Sequence, residues 1–136
     1  MRLLLDINVL LDVAFQRPGE AASSALISRC AHDHEAWLAW HSVATLAYLI
    51  ERQSSAEQAR AFISGLLGWA RIASTTHEDA VLALSWPIPD FEDALQAAAA
   101  RACGASFIIT RNERDFLSSP VTALSPEIFF AQFPVT

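Results

Sequence analysis

The chain has 136 residues, 53% of them hydrophobic and 18% charged, and its 15 acids and nine bases, every base an arginine, leave a net charge of −6. That length suits one folded domain over residues 1–136, and the hydrophobic content excludes a disordered segment, which could not offset the entropy of ordering. The acidic balance excludes broad phosphate-backbone binding through a basic face, so any nucleic-acid role must explain where the acids go.

In chain order, Arg2 to Asp6 is a short apolar run ending in an acid and is predicted to be a strand, with a short helix from Val9 to Ala14 before the break at Arg17-Pro18-Gly19. Met1-Arg2-Leu3-Leu4-Leu5 imitates an export signal, but Asp6 and Asp12 interrupt it and no small-residue cleavage site follows. Glu20 to Ala31 has helical spacing at Ala21, Ala25, Leu26 and Arg29, and Glu35 to His41 reads as a second strand. Ser42 is placed to cap a helix reaching Arg52 and Gln53, and Ala56 to Trp69 repeats the helical pattern and closes at Gly68. Arg71 to Ser74 is a third strand and Glu78 to Ser85 a short helix, stopped by Trp86-Pro87-Ile88-Pro89. Asp90 caps a helix from Phe91 to Cys103 that ends at Gly104. Ser106 to Thr110 is the fourth strand, Arg111 to Asp115 a polar turn, Val121 to Leu124 the last strand, and Pro126 opens a terminal helix, Glu127 to Phe133.

Strands separated by helices predict a three-layer α/β/α sandwich with a central, mostly parallel sheet. Arg101 splits the longest Ala-rich stretch, so no membrane span is expected and a cytoplasmic location follows. Cys30 and Cys103 have no metal-ligand spacing and read as small buried residues of a reducing compartment.

Ligands of open parallel sheets bind beyond the carboxyl ends of the strands, where Asp6 closes strand one and Asn112 and Asp115 follow strand four. A carboxylate beside a core is costly unless paired or metal-bound, which makes Asp6 a site candidate; an Asx turn capping the next helix is the other reading. Asp93 lies in the first turn of the Ala-rich helix, where it complements the dipole. It also lies on the face of Ala97, Ala100 and Gly104, opposite that of Phe91, Ala94, Leu95, Ala98 and Ala102, so a helix apolar all round would bury it. Asp90 is read as the cap and Glu92 as a solvated acid. Asp115 and Asn112 form either a site loop or an ordinary surface turn. Three carboxylates brought from distant segments to one sheet edge are the hard oxygen donors that Mg²⁺ or Mn²⁺ requires.

Three blocks, Leu5-Asp6-Ile7-Asn8-Val9-Leu10-Leu11, Phe91-Glu92-Asp93-Ala94 and Phe107-Ile108-Ile109-Thr110-Arg111-Asn112-Glu113-Arg114-Asp115-Phe116, resemble the signature blocks of PIN domains, nearest the bacterial branch that includes the VapC toxins. The resemblance implies a metal-dependent ribonuclease in which Asp6, Asp93 and Asp115, with Asn112 at a position often acidic in relatives, hold Mg²⁺ or Mn²⁺. Thr110 would orient the loop, Asn8 and Thr45 would support the site, and Arg111 or Arg52 would contact the phosphate of an RNA substrate, although Arg111 reads equally as a surface residue or a salt-bridge partner near Glu113. It also implies a homodimer and a cognate antitoxin. The family usually adds a Glu from the segment matching Ser42 to Ile50; here Thr45 or Tyr48 stands there, so one firmly held ion and a second recruited with substrate are expected. That gap leaves a rival reading, a PIN-fold interaction module without activity. A further rival, a phosphatase with Asp6 as nucleophile, wants an Asp where Asn8 stands. Trp37, Trp40, Trp69, Trp86, Phe129, Phe130 and Phe133 are read either as core or as an exposed patch for a second copy or the antitoxin.

Overall fold

A computed structural model describes residues 1–134. Five strands, Arg2–Leu5 (β1), Glu35–Leu38 (β2), Ala70–Ile72 (β3), Phe107–Ile109 (β4) and Ala123–Leu124 (β5), pair in the order β3-β2-β1-β4-β5, every pair parallel. The described helices are Ile7–Ala14 (α1), Glu20–Cys30 (α2), Trp40–Gln53 (α3), Ala56–Leu67 (α4), His77–Leu84 (α5), Phe91–Ala102 (α6) and Pro126–Gln132 (α7), with a 3₁₀ turn at Glu113–Phe116. The expected α/β/α sandwich is therefore present, with a sheet that is parallel throughout.

Period-two alternation sorts the strand residues onto two faces. Leu3 and Leu5 point to one core with Ala36, Leu38, Ile109 and Leu124, and Leu26, Leu46 and Phe129 from α2, α3 and α7 pack there. Leu4 and Ile108 point to the other, under the alanines of α6 and Ala83 of α5. The Ala-rich sequence of α6 suits this place: Ala94 and Ala97 to Ala100 are buried, and side chains this small let the helix lie close against β1 and β4.

Several boundaries differ from the sequence reading. The first helix starts at Ile7 because Asp6 itself is its N-cap. Strand β2 stops at Leu38, where its pairing with β3 ends, and Trp40 and His41 open α3 behind the extended Ala39. Ser42 is thus not the cap but a buried residue inside α3. A capping box between Thr76 and Asp79 starts α5 at His77. Of the aromatic residues, Phe129 is fully buried, Trp37, Trp69 and Trp86 pack against the cores, and Trp40 stands 70% exposed.

Candidate metal centre

The topology puts β1 in the middle of the sheet, with β2 on one side and β4 on the other, so residues following these three strands share one edge. Asp6 leaves β1 there, its backbone N–H bonded to the Ile109 carbonyl at 2.9 Å. Its side chain is only 2% exposed; Oδ1 accepts the Ile7 N–H at 2.8 Å and Oδ2 accepts the Thr110 hydroxyl at 2.7 Å. Both readings of Asp6 therefore describe it in part: it caps α1, and it is a buried carboxyl with no cationic partner among the described residues. Burial raises its pKa, the Glu92 charge raises it further, and hydrogen bonds from Thr110, Ile7 and Asn8 act in the opposite direction.

Asp93 enters from the first turn of α6. Its pKa is raised to about 7, first by burial, then by a hydrogen bond and charge contact with Glu92, then by the charges of Asp6 and Asp90. Asp90 is the exposed N-cap, its Oδ1 accepting the Glu92 N–H at 2.9 Å, as the sequence reading had it. Glu92 is not a free solvated acid. Its Oε1 accepts from His41 Nε2 at 3.0 Å and from Gln96 Nε2 at 3.1 Å, and these bonds hold its pKa below the usual carboxylate range. Gln96 is fully buried and also donates a 2.5 Å bond to Ser42 Oγ.

Thr110 ends β4 and uses its hydroxyl twice, donating to Asp6 and accepting the Asn112 N–H at 3.0 Å. It thereby ties the loop that carries Asn112 and Asp115 to the end of β1. Asn112 and Asp115 themselves are exposed, Asp115 in the 3₁₀ turn with its N–H on the Asn112 carbonyl. Among the described residues no three His, Cys, Asp or Glu side chains stand in a geometry that would hold one ion. The expected closed cage of Asp6, Asp93 and Asp115 is therefore not formed: the 3₁₀ turn leaves Asp115 in solvent.

Three other expected residues are engaged elsewhere by their side chains. Thr45 is exposed and its hydroxyl bonds back to the His41 carbonyl at 3.2 Å. Arg52 lies at the far end of α3, eleven residues and about 16 Å along the axis from His41, where it donates to the Tyr48 hydroxyl at 3.0 Å. Arg111 follows β4 but turns away from phosphate work: Nε meets Asp12 Oδ2 at 2.7 Å, Nη1 meets Glu127 Oε1 at 2.6 Å, and Nη2 donates to the Gly19 carbonyl. Asp12 is 5% exposed and also accepts the Ser23 hydroxyl, so this ion pair, buried on its Asp12 side and partly exposed at Arg111, fastens α1 and α2 to the loop after β4. His41, Ser42 and Gln96 were missed by sequence reasoning. The one available signal was an amide at position 96 leading into the Ala97–Ala100 run of an Ala-rich helix.

The PIN domain family model matches residues 2–114, and the chain belongs to that family. Among solved structures, it is similar to VapBC2 from Rickettsia felis bound to a DNA fragment from their promoter, at 17% identity and a TM-score of 0.74, covering 92% of this chain and 98% of that one. It is also similar to VapBC-1 from nontypeable Haemophilus influenzae, at 18% identity, a TM-score of 0.73 and 93% and 99% coverage. FitAcB from Neisseria gonorrhoeae matches at 17% identity and a TM-score of 0.67, covering 92% and 98%. No curated protein matches the sequence.

Proposed function

We propose that the chain is a metal-dependent ribonuclease, the toxin of a toxin and antitoxin pair, with Asp6 and Asp93 as its primary Mg²⁺ or Mn²⁺ ligands. The carrying observation is the buried Asp6 carboxyl at the end of the central strand, held by Thr110 and Ile7 with no arginine partner among the described residues, and the half-buried Asp93 carboxyl near enough at the same edge for the Asp6 charge to raise its pKa. Mg²⁺ commonly takes one or two protein carboxylates and keeps its waters, so one buried and one half-buried acid suit it without a closed cage. Asp115 and Asn112 would orient those waters from the loop that Thr110 holds. A bound divalent ion supplies Lewis-acid polarisation of the scissile phosphate and a more acidic attacking water. The protein's own part is to keep Asp6 aimed through Ile7, Asn8 and Thr110, and to surround Asp93 with enough apolar wall that its charge is worth more to a cation.

The toxin reading is supported by the fold shared with VapBC2, VapBC-1 and FitAcB. An apolar groove of about 310 Å³ lined by Val13, Ile27, Phe62, Leu66 and Trp69 is suited to a hydrophobic peptide segment, which we assign to the cognate antitoxin, and the homodimer stays part of this proposal on the family resemblance alone. The phosphatase alternative drops with the family, because its chemistry belongs to another fold.

Purified protein incubated with single-stranded RNA tests this. Cleavage in Mn²⁺ that is lost in chelator and in Asp6→Asn is expected; metal binding without cleavage of any RNA would support the inactive module instead.

A further inference from the structure

We propose that the outer face of α3 is the surface on which the substrate strand lies, with Trp40 and Tyr48 as stacking platforms for unpaired bases of single-stranded RNA. The inference deepens the nuclease reading above and rests on its RNA substrate, but on no property of a bound metal.

The sequence of α3 sorts its side chains onto opposite sides. At about 100° per residue, Ser42, Leu46 and Ile50 share one side and are buried, whereas Trp40, Ala44, Tyr48 and Arg52 are centred opposite them and are exposed. Trp40 is 70% exposed and Tyr48 57%. One exposed apolar side chain is ordinary, but here two large aromatics stand on a single stripe. Arg52 steadies the second of them: Nη1 donates to the Tyr48 hydroxyl at 3.0 Å, and the guanidinium carbon lies 5.7 Å from the ring centre.

The stripe starts beside the candidate metal centre. Trp40 opens α3 just past the end of β2, and its neighbour His41 bonds Glu92, the residue before Asp93, at 3.0 Å. Trp40 also walls an open cleft of about 460 Å³ with Ile72, Ala73, Ser74 and Thr75. Ser74 and Thr75 are exposed, and their hydroxyls can donate to or accept from the edge of a base.

Charge narrows the choice of occupant. The chain carries a net −6, Arg111 is taken up by Asp12 and Glu127, and Glu51, the one acid of α3, stands beside Arg52. Phosphate attraction therefore cannot supply the affinity on this face, whereas stacking on an aromatic ring can, and it requires bases that are not already hidden in a duplex. The two rings are about 12 Å apart along the helix axis. That is too far for both to hold one base, so each takes its own.

The test is binding of a fluorescently labelled short oligoadenylate to the full chain, read by anisotropy in Mg²⁺ and in chelator, with circular dichroism to confirm folding. Trp40→Ala and Tyr48→Ala are each expected to weaken binding about 10-fold. Trp40→Phe should keep most of the affinity, and Trp40→Leu, apolar but without a ring face, should lose it. In the unmodified protein, the oligonucleotide should shift the Trp40 indole N–H resonance, identified by its loss in Trp40→Phe, and leave those of Trp37, Trp69 and Trp86 in place. Wild-type affinity in Trp40→Ala, equal affinity of the Phe and Leu variants, or an unmoved Trp40 resonance overturns stacking at Trp40. Wild-type affinity in Tyr48→Ala overturns the second platform. A dimer that becomes a monomer in Trp40→Ala, at unchanged oligonucleotide affinity, makes the stripe a contact between copies and overturns the proposal. An unmodified protein that binds no single-stranded RNA in either condition contradicts the RNA substrate itself, and this surface falls with it.

Discussion

The Thr110 hydroxyl donates to Asp6 Oδ2 at 2.7 Å and accepts from the Asn112 N–H at 3.0 Å, so one oxygen links the end of β1 to the loop that follows β4. Thr110 is wholly buried. Replacing it with Val removes the donor to a buried carboxyl while keeping the shape, and should cost about 1–3 kcal/mol in urea denaturation. The same variant should raise the Asp6 pKa, because the bond now favours its charged form, and a carboxyl-carbon NMR titration would show the shift. No change in either would mean that the Thr110 bond contributes nothing to the carboxylate.

Arg111 carries a different expectation from the one its sequence position invites. With Asp12 buried against it, Arg111→Ala strands a charge and should cost about 3–5 kcal/mol of stability. Arg111→Lys should recover only part, since a point charge cannot serve Asp12, Glu127 and the Gly19 carbonyl together. A phosphate-contacting arginine would instead leave the denaturation midpoint unchanged.

Gly19 faces the same guanidinium. Its φ is +90°, and a Cβ there would lie 2.6 Å from Arg111 Nη2. Gly19→Ala should therefore destabilise by about 1–3 kcal/mol through the left-handed backbone, with a further loss from displacing Arg111. Calorimetry of Gly19→Ala in the Arg111→Ala background checks the coupling: the second loss should vanish there and the backbone part remain.

The raised pKa of Asp93 gives a pH dependence with a definite sign. The folded state keeps this proton to about pH 7, whereas the ordinary value is 3.8. Its contribution to stability is present at acid pH and is lost as pH rises from about 4 through about 7. Asp6 shifts in the same direction. Glu92 shifts the other way, so its contribution is present above its ordinary value of 4.5 and is lost only as pH falls below it, beneath the pH 5 to 8 range of the melts. In chelator, Asp93→Asn should flatten the decline and melt higher than wild type at pH 8, and Mg²⁺ should stabilise wild type more than the variant. Thermal melts from pH 5 to 8 that are parallel for the two proteins would contradict the assignment.

Much of the fold was legible because its signals are local. Leu3, Leu4 and Leu5 bounded by Asp6 announce a buried strand, and Asp90 and Gly104 bracket α6. Asp6 and Asp93 stood out as acids that packing did not explain. What stayed hidden depends on distance in the chain. His41 meets Glu92 across 51 residues and Ser42 meets Gln96 across 54, and no periodicity relates such pairs. Of the readings of Arg111 the salt-bridge one holds, but its partners Asp12 and Glu127 lie in segments far before and well after it, not near Glu113. Asp115 is read as converging with the other acids because its spacing from β4 allows it, and the 3₁₀ turn that carries it leaves its side chain exposed.

Soaking crystals in Mn²⁺ and collecting anomalous diffraction tests the central claim most directly. A strong peak within about 2.0–2.5 Å of carboxylate oxygens of both Asp6 and Asp93 is the expected result. Well-ordered crystals with no peak at that edge, or with Mn²⁺ bound only elsewhere, would contradict it.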